Sequence, residues 1–425
     1  MILGWLIGIV GALALAVLLV LYFRGAFRRQ PSYTLQHVPS PQDQHFMAAI
    51  ASLSDSIELP GQITHFWSDI ATVQAERLKA IRSARHSIQF ETYIMTPGKR
   101  ADDFAAALID QAQKGVRIQL VIDSFGARSL PQRYWQKLRS AGIAVRFFNS
   151  FSWRSPTDFL ARNHRKLLLI DQTKALVGGA GISDMWDGVE NGESEPWLDT
   201  EVSIVGPVLT RLRGIFLQHW LDSGENADLA MEDWPAETAA EGKTLLITAG
   251  EDPSYRGSSI RALIQLYALS ARQRLWIASP YLLPDKNTRQ ILIKAARQGT
   301  DVRILTMGSL SDKPYVYYAS RELYGELLQN GIKIYEYQPS MMHGKLILID
   351  QDWVSLGSAN LDPRSFFHND ELNFSTAQPL VIQQLEQLFL QAFTKSQLIE
   401  LSTWRSRSFW KKLYGRCSLL IYWQL

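Results

Sequence analysis

The chain has 425 residues, a formal net charge of +3 and a sequence pI of about 8.8. Its single cysteine excludes a disulfide within the chain. The weak positive charge argues against a large nucleic-acid groove and is compatible with an anionic membrane surface. The length is sufficient for two domains behind a short N-terminal segment.

Residues 1–23 contain no charged side chain and are long enough to span a bilayer. Arg24, Arg28 and Arg29 follow directly, so the positive-inside rule predicts an uncleaved transmembrane anchor with the rest of the chain in the cytoplasm. A cleaved signal of unusual form is the alternative, although neither a basic region before the apolar run nor a cleavage site is evident. A buried core helix fits this length less well.

Residues 24–60 are predicted to form a polar linker with scattered prolines. Residues 61–221 then predict a first lobe in which helices and strands alternate. The predicted helices cover residues 73–85, residues 101–115 and a segment that ends near Gly142. The predicted strands cover residues 87–94, 116–123 and 143–148.

Residues 222–243 are acidic and poor in strand formers, which indicates a connection between two lobes. Residues 244–400 repeat the order of the first lobe. The predicted elements are a helix after residue 258, helices that end near Gly299 and Gly331, and strands at 275–279, 302–307 and 332–337. The α/β fold class is therefore two pseudo-symmetric α/β/α sandwich lobes, with the active site expected at their interface.

The final segment, residues 401–425, mixes basic residues with aromatic and aliphatic ones. Such a segment can lie in the membrane interface, with its cations on lipid headgroups. The alternative is a terminal helix packed on the second lobe. Its wholly apolar part is too short to span a bilayer.

The most informative feature of the chain is a motif that occurs twice. Residues 164–171 (HRKLLLID) and 343–350 (HGKLILID) both fit H-x-K-x-x-x-x-D, and six further residues lead in each copy to a pair of small residues. The chain has 8 His, so chance does not readily account for two matches in the same context. The spacing of 179 positions is too long for a solenoid repeat and suits two similar half-proteins.

Each copy of the motif joins a predicted strand to reactive side chains. The apolar run after each lysine predicts a buried strand, and alternation along it places the His and Lys of one copy on the same side. The Asp has the opposite parity, so Asp171 and Asp350 are predicted to be mainly structural. The small residues that follow allow another backbone or a ligand to approach closely.

Paired His and Lys side chains suit phosphodiester chemistry. A neutral His can attack phosphorus, and a protonated His can donate to the leaving alkoxide. Two lysines can neutralise the phosphate oxygens without a metal ion or cofactor. The alternative for each copy is a structural histidine at a strand end.

These motifs resemble those of the phospholipase D superfamily, and within it the bacterial cardiolipin synthases. The likeness extends to SPYLLPD (residues 279–285), GSANLDPRSFFHNDELN (357–373) and WLDTEVSIVGP (197–207), and covers about residues 60–400. It implies one site shared by both motifs and phospholipid substrates, namely phosphatidylglycerol and, as another donor, phosphatidylethanolamine.

The resemblance also implies roles for individual residues. The predicted catalytic set is His164, Lys166, Asp171, His343, Lys345 and Asp350. His164 would be the nucleophile and His343 the general acid, although the sequence by itself leaves open which His attacks. Asp199 and Glu371 are the carboxylates predicted to orient the histidine rings.

The small residues and one amide complete the predicted site. Gly179, Ser358 and Asn360 are the predicted substrate-binding residues, with Asn360 joining Lys166 and Lys345 on the phosphate. Gly181 stands in the first copy where the second has Asn360, so the first half lacks one predicted phosphate donor.

Three functions are compatible with these residues. The favoured one is a phosphatidyltransferase that makes cardiolipin and glycerol through a phosphohistidine, as a single-pass protein of the bacterial inner membrane with a cytoplasmic catalytic domain. A phosphodiesterase or nuclease that uses water is the alternative, although a nuclease would be better served by a more basic surface and by export. A silent membrane scaffold has no need of both complete motifs. Oligomeric state and any partner protein stay open.

Overall fold

The computed structural model describes residues 2–23, 33, 35–153, 158–188, 193–227, 243–251, 253 and 257–425. Within these ranges the helices are α1 (Ile2–Phe23), α2 (Phe46–Ser54), α3 (Ile70–Ser83), α4 (Lys99–Gln113), α5 (Gln132–Ser140), α6 (Val208–Asp222), α7 (Ser259–Ser270), α8 (Lys286–Arg297), α9 (Pro314–Leu328), α10 (Pro363–Phe367), α11 (Pro379–Thr394), α12 (Leu401–Arg405) and α13 (Phe409–Ser418). Short 3₁₀ helices cover Asp158–Leu160, Asp184–Asp187 and Leu419–Gln424.

The strands of the first half are β1 (Ile57–Pro60), β2 (Gln62–Trp67), β3 (Ser87–Thr92), β4 (Arg117–Asp123), β5 (Ala144–Phe148), β6 (Arg162–Asn163), β7 (Leu167–Ile170), β8 (Lys174–Gly178) and β9 (Glu201–Val205). Those of the second half are β10 (Thr244–Gly250), β11 (Arg274–Ala278), β12 (Asp301–Met307), β13 (Lys333–Tyr337), β14 (Leu346–Ile349), β15 (Trp353–Gly357), β16 (Asn369–Thr376) and β17 (Ser396–Leu398).

The strands form two mixed sheets that share one topology. The first sheet has the order β2-β9-β8-β7-β3-β4-β5, and the second contains the equivalent order β10-β16-β15-β14-β11-β12-β13. In each, three parallel strands adjoin antiparallel ones. β1 and β17 extend the edges of the second sheet, and β6 pairs with β16 across the lobes. Both halves of the chain therefore have the predicted mixed α/β architecture.

Helices cover both faces of each sheet, and the two sheets share the middle layer. α3, α4 and α5 pack outside the first sheet, and α7, α8 and α9 pack outside the second. α6 and α11 fill one continuous core between the sheets. Leu167 and Leu169 of β7 face this shared core while Leu168 and Ile170 face the outer helices. A strand with both faces buried is apolar throughout, as its sequence indicates.

Part of the predicted linker is ordered secondary structure, and this corrects the sequence prediction. Phe46 and Ile50 of α2 are buried beneath α7. β1 pairs antiparallel with β10, so residues 57–60 belong to the second sheet. Residues 24–32 and 34 of the predicted linker, and residues 228–242 of the predicted inter-lobe connection, lie outside the described residues.

The two ends of the chain lie beside each other. α1 contacts the 3₁₀ helix Leu419–Gln424, and its described side chains are mostly exposed. Taken over the residues that the structure describes, no helix is long and apolar enough to cross a membrane. The transmembrane anchor therefore stays a prediction from the sequence.

The C-terminal residues pack on the second lobe. A packed terminal helix was the alternative prediction for this segment. α13 lies against α9, and a Cβ on Gly415 would be 2.5 Å from the carbonyl oxygen of Tyr318. The Tyr422 hydroxyl donates to the Leu283 carbonyl at 2.9 Å. The glycine therefore allows the two helices to approach closely.

Candidate active site

The duplicated motifs lie at the edge where the parallel strands of both sheets end. β7 runs antiparallel to β3, and β14 runs antiparallel to β11. His164 and Lys166 come just before β7, so they lie at the carboxyl end of β3, and His343 and Lys345 occupy the equivalent place before β14. The apolar runs are the predicted strands, but each strand begins after the lysine. His and Lys therefore lie in the segment that leads into the strand, not within it.

A cavity of about 250 Å³ lies at this edge, between the lobes. His164 and Lys166 of the first motif and His343 of the second line it. The Lys345 ammonium lies 2.9 Å from Nδ1 and 3.1 Å from Nε2 of His343. Both lysines are 3% exposed. The structure thus brings His164, Lys166 and His343 to one cavity and holds Lys345 against His343.

The first histidine is held by residues of the second lobe. Nδ1 of His164 lies 2.9 Å from Oε2 and 3.0 Å from Oε1 of Glu371, which is in β16. The His164 backbone N–H donates to the Asp370 carbonyl at 2.9 Å. Ser358 and Ser365 donate their hydroxyls to the two oxygens of Glu371. Nε2 is left as the nitrogen available to a ligand.

The second histidine is held by residues of the first lobe. Nδ1 of His343 lies 2.7 Å from Oδ2 of Asp199, and the same oxygen accepts the indole N–H of Trp186 at 3.0 Å. The His343 backbone N–H donates to the Leu198 carbonyl at 2.8 Å. The rings of Trp186 and Trp197 lie 5.2 and 5.8 Å from the imidazole. The aromatic surroundings keep this imidazole buried.

The two carboxylates are therefore exchanged between the lobes. The resemblance predicted that Asp199 and Glu371 orient histidine rings, and each contacts the ring of the other motif. Asn163 pairs with Asp370, and Leu198 pairs with Met342, in short parallel bridges. In each bridge the residue before a histidine meets the residue before a carboxylate. The crossed contacts follow from these two bridges.

Burial controls the charge of the four motif cations. Burial, with the help of Lys166 and Lys345, lowers the pKa of His164 well below its usual value. Burial and Lys345 lower the pKa of His343 to about 4, against the attraction of Asp199. Burial also lowers the pKa of Lys166 to about 7 and that of Lys345 to about 8. A bound anion would favour the charged form of every one of these groups.

The two carboxylates differ in charge state. Burial raises the pKa of Glu371 to about 7, and Lys166 offsets this only in part. Burial acts on Asp199 too, but His343 and Lys345 outweigh it and hold the pKa of Asp199 below its usual value. Asp199 is therefore ionised at neutral pH, whereas Glu371 can hold a proton.

The motif aspartates lie at the opposite ends of their strands and do not line the cavity. Asp171 follows β7, and its carboxylate accepts the N–H groups of Arg85, His86 and Ser87 at 2.7–2.9 Å. Asp350 follows β14 and accepts those of residues 272–274 in the same way. They were predicted within the catalytic set but as mainly structural. The structure places them where they hold the backbone that enters β3 and β11.

Gly179 and Ser358 lie behind the carboxylates, and substrate binding by these two residues stays a prediction. A Cβ on Gly179 would lie 2.1 Å from Oδ1 of Asp199, so only glycine leaves room for that carboxylate. Ser358, at the equivalent position, donates to Glu371. Neither residue lines the cavity.

Asn360 and Gly181 also occupy equivalent positions outside the cavity lining. The Asn360 backbone N–H donates to the Ser365 hydroxyl at 3.0 Å, and its side chain is buried. A Cβ on Gly181 would lie 2.7 Å from the Ile94 carbonyl oxygen. This close backbone approach explains why the first half has glycine and not asparagine.

Several cavity residues were missed by the sequence analysis. Tyr93, Phe125, Tyr281 and Lys313 follow β3, β4, β11 and β12, and all four line the cavity. The Tyr281 hydroxyl donates to Asp312 at 2.8 Å, and Lys313 Nζ lies 4.5 Å from the centre of the Tyr281 ring. The rule that ligands bind beyond the carboxyl ends of parallel strands could have found these residues.

A second buried cluster joins the lobes behind the site. Nδ1 of His219 lies 2.7 Å from Oε2 of Glu91, and its Nε2 lies 3.0 Å from Oδ2 of Asp370. Burial and Arg165 lower the pKa of His219, but the two carboxylates outweigh them and raise it overall. Among the described residues, no group of three or more His, Cys, Asp or Glu side chains could hold a metal ion.

Solved structures support the fold. The crystal structure of phosphatidylserine synthase from Haemophilus influenzae has a TM-score of 0.66 at 13% identity and covers 89% of this chain and 100% of that one. Polyphosphate kinase from Porphyromonas gingivalis has a TM-score of 0.52 at 15% identity over 88% of this chain and 53% of that one. At these identities the likeness shows the fold alone.

Sequence relatives define the family. The family model described as cardiolipin synthase, PLD-like domain, where PLD is phospholipase D, matches residues 78–220 and 266–393. Cardiolipin synthase 2 of Bacillus anthracis is 34% identical over 79% of this chain and 65% of its own length. Cardiolipin synthase of Alkalihalophilus pseudofirmus is 32% identical over 84% of this chain and 71% of its own.

The chain therefore belongs to the cardiolipin synthase family with PLD-like domains. It spans 65% and 58% of the length of the cardiolipin synthase 2 proteins from B. anthracis and Bacillus cereus.

Proposed function

We propose that this protein is a phosphatidyltransferase that joins two phosphatidylglycerol molecules into cardiolipin and releases glycerol. The observation that carries this proposal is the pair of histidines from different lobes, each bound through Nδ1 to a carboxylate and both lining one cavity. Such a pair supplies a nucleophile and a proton donor on opposite sides of one phosphorus atom.

In the first step, Nε2 of His164 attacks the phosphorus of one phosphatidylglycerol. The bond from phosphorus to the glycerol headgroup oxygen breaks, and His343 donates a proton to that oxygen. Glycerol leaves, and the phosphatidyl group remains on His164 as a phosphohistidine. Lys166 and Lys345 neutralise the non-bridging oxygens as charge builds on them.

In the second step, a hydroxyl of another phosphatidylglycerol headgroup attacks the phosphohistidine. His343, now neutral, takes the proton of that hydroxyl, and the bond between phosphorus and Nε2 breaks. Cardiolipin leaves, and His343 is protonated for the next cycle. Phosphatidylethanolamine could serve as donor in the same steps, with ethanolamine as the leaving group.

The buried cations of the site support an anionic substrate. Two buried lysines face one carboxylate that stays ionised, Asp199, and one whose pKa burial raises to about 7, Glu371. A phosphodiester carries one negative charge. Its binding would offset the burial that lowers the pKa of both lysines, and the repulsion by Lys345 that lowers the pKa of Lys166 further.

The location of the enzyme is part of the proposal. The apolar residues 1–23 followed by three arginines support a single-pass protein of the bacterial cell membrane with its catalytic lobes in the cytoplasm. Both proposed substrates are membrane lipids, so the anchor would hold the cavity close to them.

The full-length protein should be reconstituted in phosphatidylglycerol vesicles, and cardiolipin and glycerol should be measured together. We expect equal amounts of the two products, and none from a matched His164→Ala/His343→Ala variant. Addition of phosphatidylethanolamine with release of ethanolamine would identify the second donor. Phosphatidic acid with glycerol, and no cardiolipin, would instead show a hydrolase and overturn the transferase proposal.

A further inference from the structure

An exposed row of aromatic side chains leads from the cavity to the surface. Phe125 lines the cavity, and its ring centre lies 6.0 Å from that of Phe159. Phe159 lies 5.8 Å from Phe151, which lies 5.0 Å from Trp153. Phe151 is 51% exposed and Trp153 is 88% exposed. A contiguous exposed patch of aromatic rings is typical of a surface that binds a partner.

α13 exposes a second apolar surface. It packs on α9, which begins directly after the cavity residue Lys313. Gly415 and Ser418 face inward, so the opposite side of the helix is left open. Phe409 and Trp410 on that side are 68% and 74% exposed. The helix thus has one packed face and one free apolar face.

Basic residues lie on and beside α13, and two of them, Arg407 and Arg416, pair with Glu322. Residues 401–425 contain five basic and no acidic residues. The net charge of the whole chain is +3, so the rest of the chain has a net charge of −2. Lys411 is exposed, and the Lys412 ammonium donates to the Arg405 carbonyl at 2.7 Å. Basic and aromatic residues on one exposed helix match the chemistry of an anionic lipid surface.

One arginine connects the two apolar surfaces. Arg364 donates to the Leu160 carbonyl at 2.7 Å and to Oε1 of Gln424 at 3.2 Å. The first contact holds the segment that carries Phe159, and the second holds the segment that follows α13. α1 also contacts the 3₁₀ helix that contains Gln424. The cavity mouth, both apolar surfaces and the predicted anchor are therefore neighbours.

We infer that the aromatic row (Phe125, Phe151, Trp153, Phe159) and the free face of α13 form one docking surface for an anionic bilayer. Docking would insert Trp153, Phe409 and Trp410 at the headgroup boundary and turn the cavity mouth toward the lipid. The inference concerns where the folded lobes contact the membrane. It does not depend on the transferase chemistry of the proposed function.

The single cysteine of the chain makes a direct test possible. Cys417 is exposed, and it lies seven residues after Trp410, on the same side of α13. The full-length protein should be labelled there with a polarity-sensitive fluorophore and reconstituted in phosphatidylcholine vesicles with and without phosphatidylserine. We expect a blue shift of the emission and quenching by spin-labelled lipids, both larger with phosphatidylserine.

A second label tests the aromatic row. Trp153→Cys in a Cys417→Ser background should show the same shift and quenching. Lys114→Cys in that background is the matched control, because Lys114 is exposed and precedes β4, at the sheet edge opposite the cavity. The control label should emit as in water under all conditions.

Charge removal tests the lipid preference. Lys411→Gln/Lys412→Gln should weaken the docked state of the Cys417 label in phosphatidylserine vesicles about fivefold for each charge removed. An unchanged thermal unfolding curve would show that the variant is folded.

Emission at Cys417 as in water, without quenching in either kind of vesicle, would overturn the inference. Quenching at Cys417 but not at position 153 would exclude the aromatic row from the surface. A shift that depends on protein concentration and not on lipid would show that the surface binds a second copy of the chain.

Discussion

The two halves of the active site have matching backbones and different surroundings. His164 is held by Glu371, which two serines surround, whereas His343 is held by Asp199 beneath two tryptophans. Burial raises the pKa of Glu371, while His343 and Lys345 keep that of Asp199 low despite burial.

This difference shows how a duplicated site can divide its work. A carboxylate that stays ionised stabilises a protonated ring, which favours His343 as the proton donor. A carboxylate that can be neutral positions a ring without favouring its charge, which favours His164 as the nucleophile.

The largest expected effect comes from removing the histidines. His164→Ala and His343→Ala should each lower the rate of lipid transfer by at least about 10⁴-fold. An aryl phosphodiester separates the two roles, because its phenolate leaves without a proton. His343→Ala should still release one equivalent of phenolate in a burst, and His164→Ala should release none.

The phenolate bursts of His164→Ala and His343→Ala should be measured side by side at the same enzyme concentration. A burst from His164→Ala and none from His343→Ala would exchange the two roles. Mass spectrometry of the His343→Ala protein after the burst should find the added group on His164.

Replacement of Asp199 should lower kcat more than replacement of Glu371. Asp199→Asn should lower kcat by about 10²–10⁴-fold, because the His343 imidazolium loses its counter-charge. The pKa of His343 should fall further, so the alkaline limb of the kcat profile should move to lower pH. Glu371→Gln should cost about tenfold, since Glu371 can already be neutral. Equal losses and equal pH profiles in the two variants would remove the proposed division.

The buried cluster of His219 should affect stability. The two carboxylates raise its pKa in the folded state, so its contribution is fully present below the unfolded pKa and is lost as pH rises through the folded pKa. His219→Gln should therefore lower the free energy of unfolding by about 3–5 kcal/mol below pH about 6.5, and by less in alkali. Denaturant unfolding at several pH values measures this. A loss that grows with pH would contradict the assignment.

The smallest effects should come from the motif aspartates. The native carboxylates accept several backbone N–H groups. Asp171→Asn and Asp350→Asn each replace one accepting oxygen with an NH₂ group that cannot accept, which should lower the free energy of unfolding by about 1–3 kcal/mol. Asp350 is buried and Asp171 is partly exposed, so the second variant should lose more stability. Thermal unfolding and the kinetics of the remaining folded protein should be measured together. A large loss of kcat with normal stability would place these residues in the chemistry.

The secondary structure near the site was predictable from local signals. The strand predicted at residues 87–94 is Ser87–Thr92, and the helix predicted at 101–115 is Lys99–Gln113. Glycines that end helices and apolar runs that form strands act within a few residues. α2 and β1 were missed because their partners, α7 and β10, lie about 200 residues away in the chain.

The duplication of the chain, the His and Lys of each motif and the α/β character of both halves were all evident from the sequence. These conclusions rest on spacing and periodicity, which are properties of the chain. The contacts of Glu371 with His164 and of Asp199 with His343 appear only in the folded protein. The tertiary structure also separated the motif aspartates from the cavity and brought Tyr281 and Lys313 into it. Strand pairing and the bridges between lobes join residues far apart in the chain, and no local pattern encodes which distant partner a side chain meets.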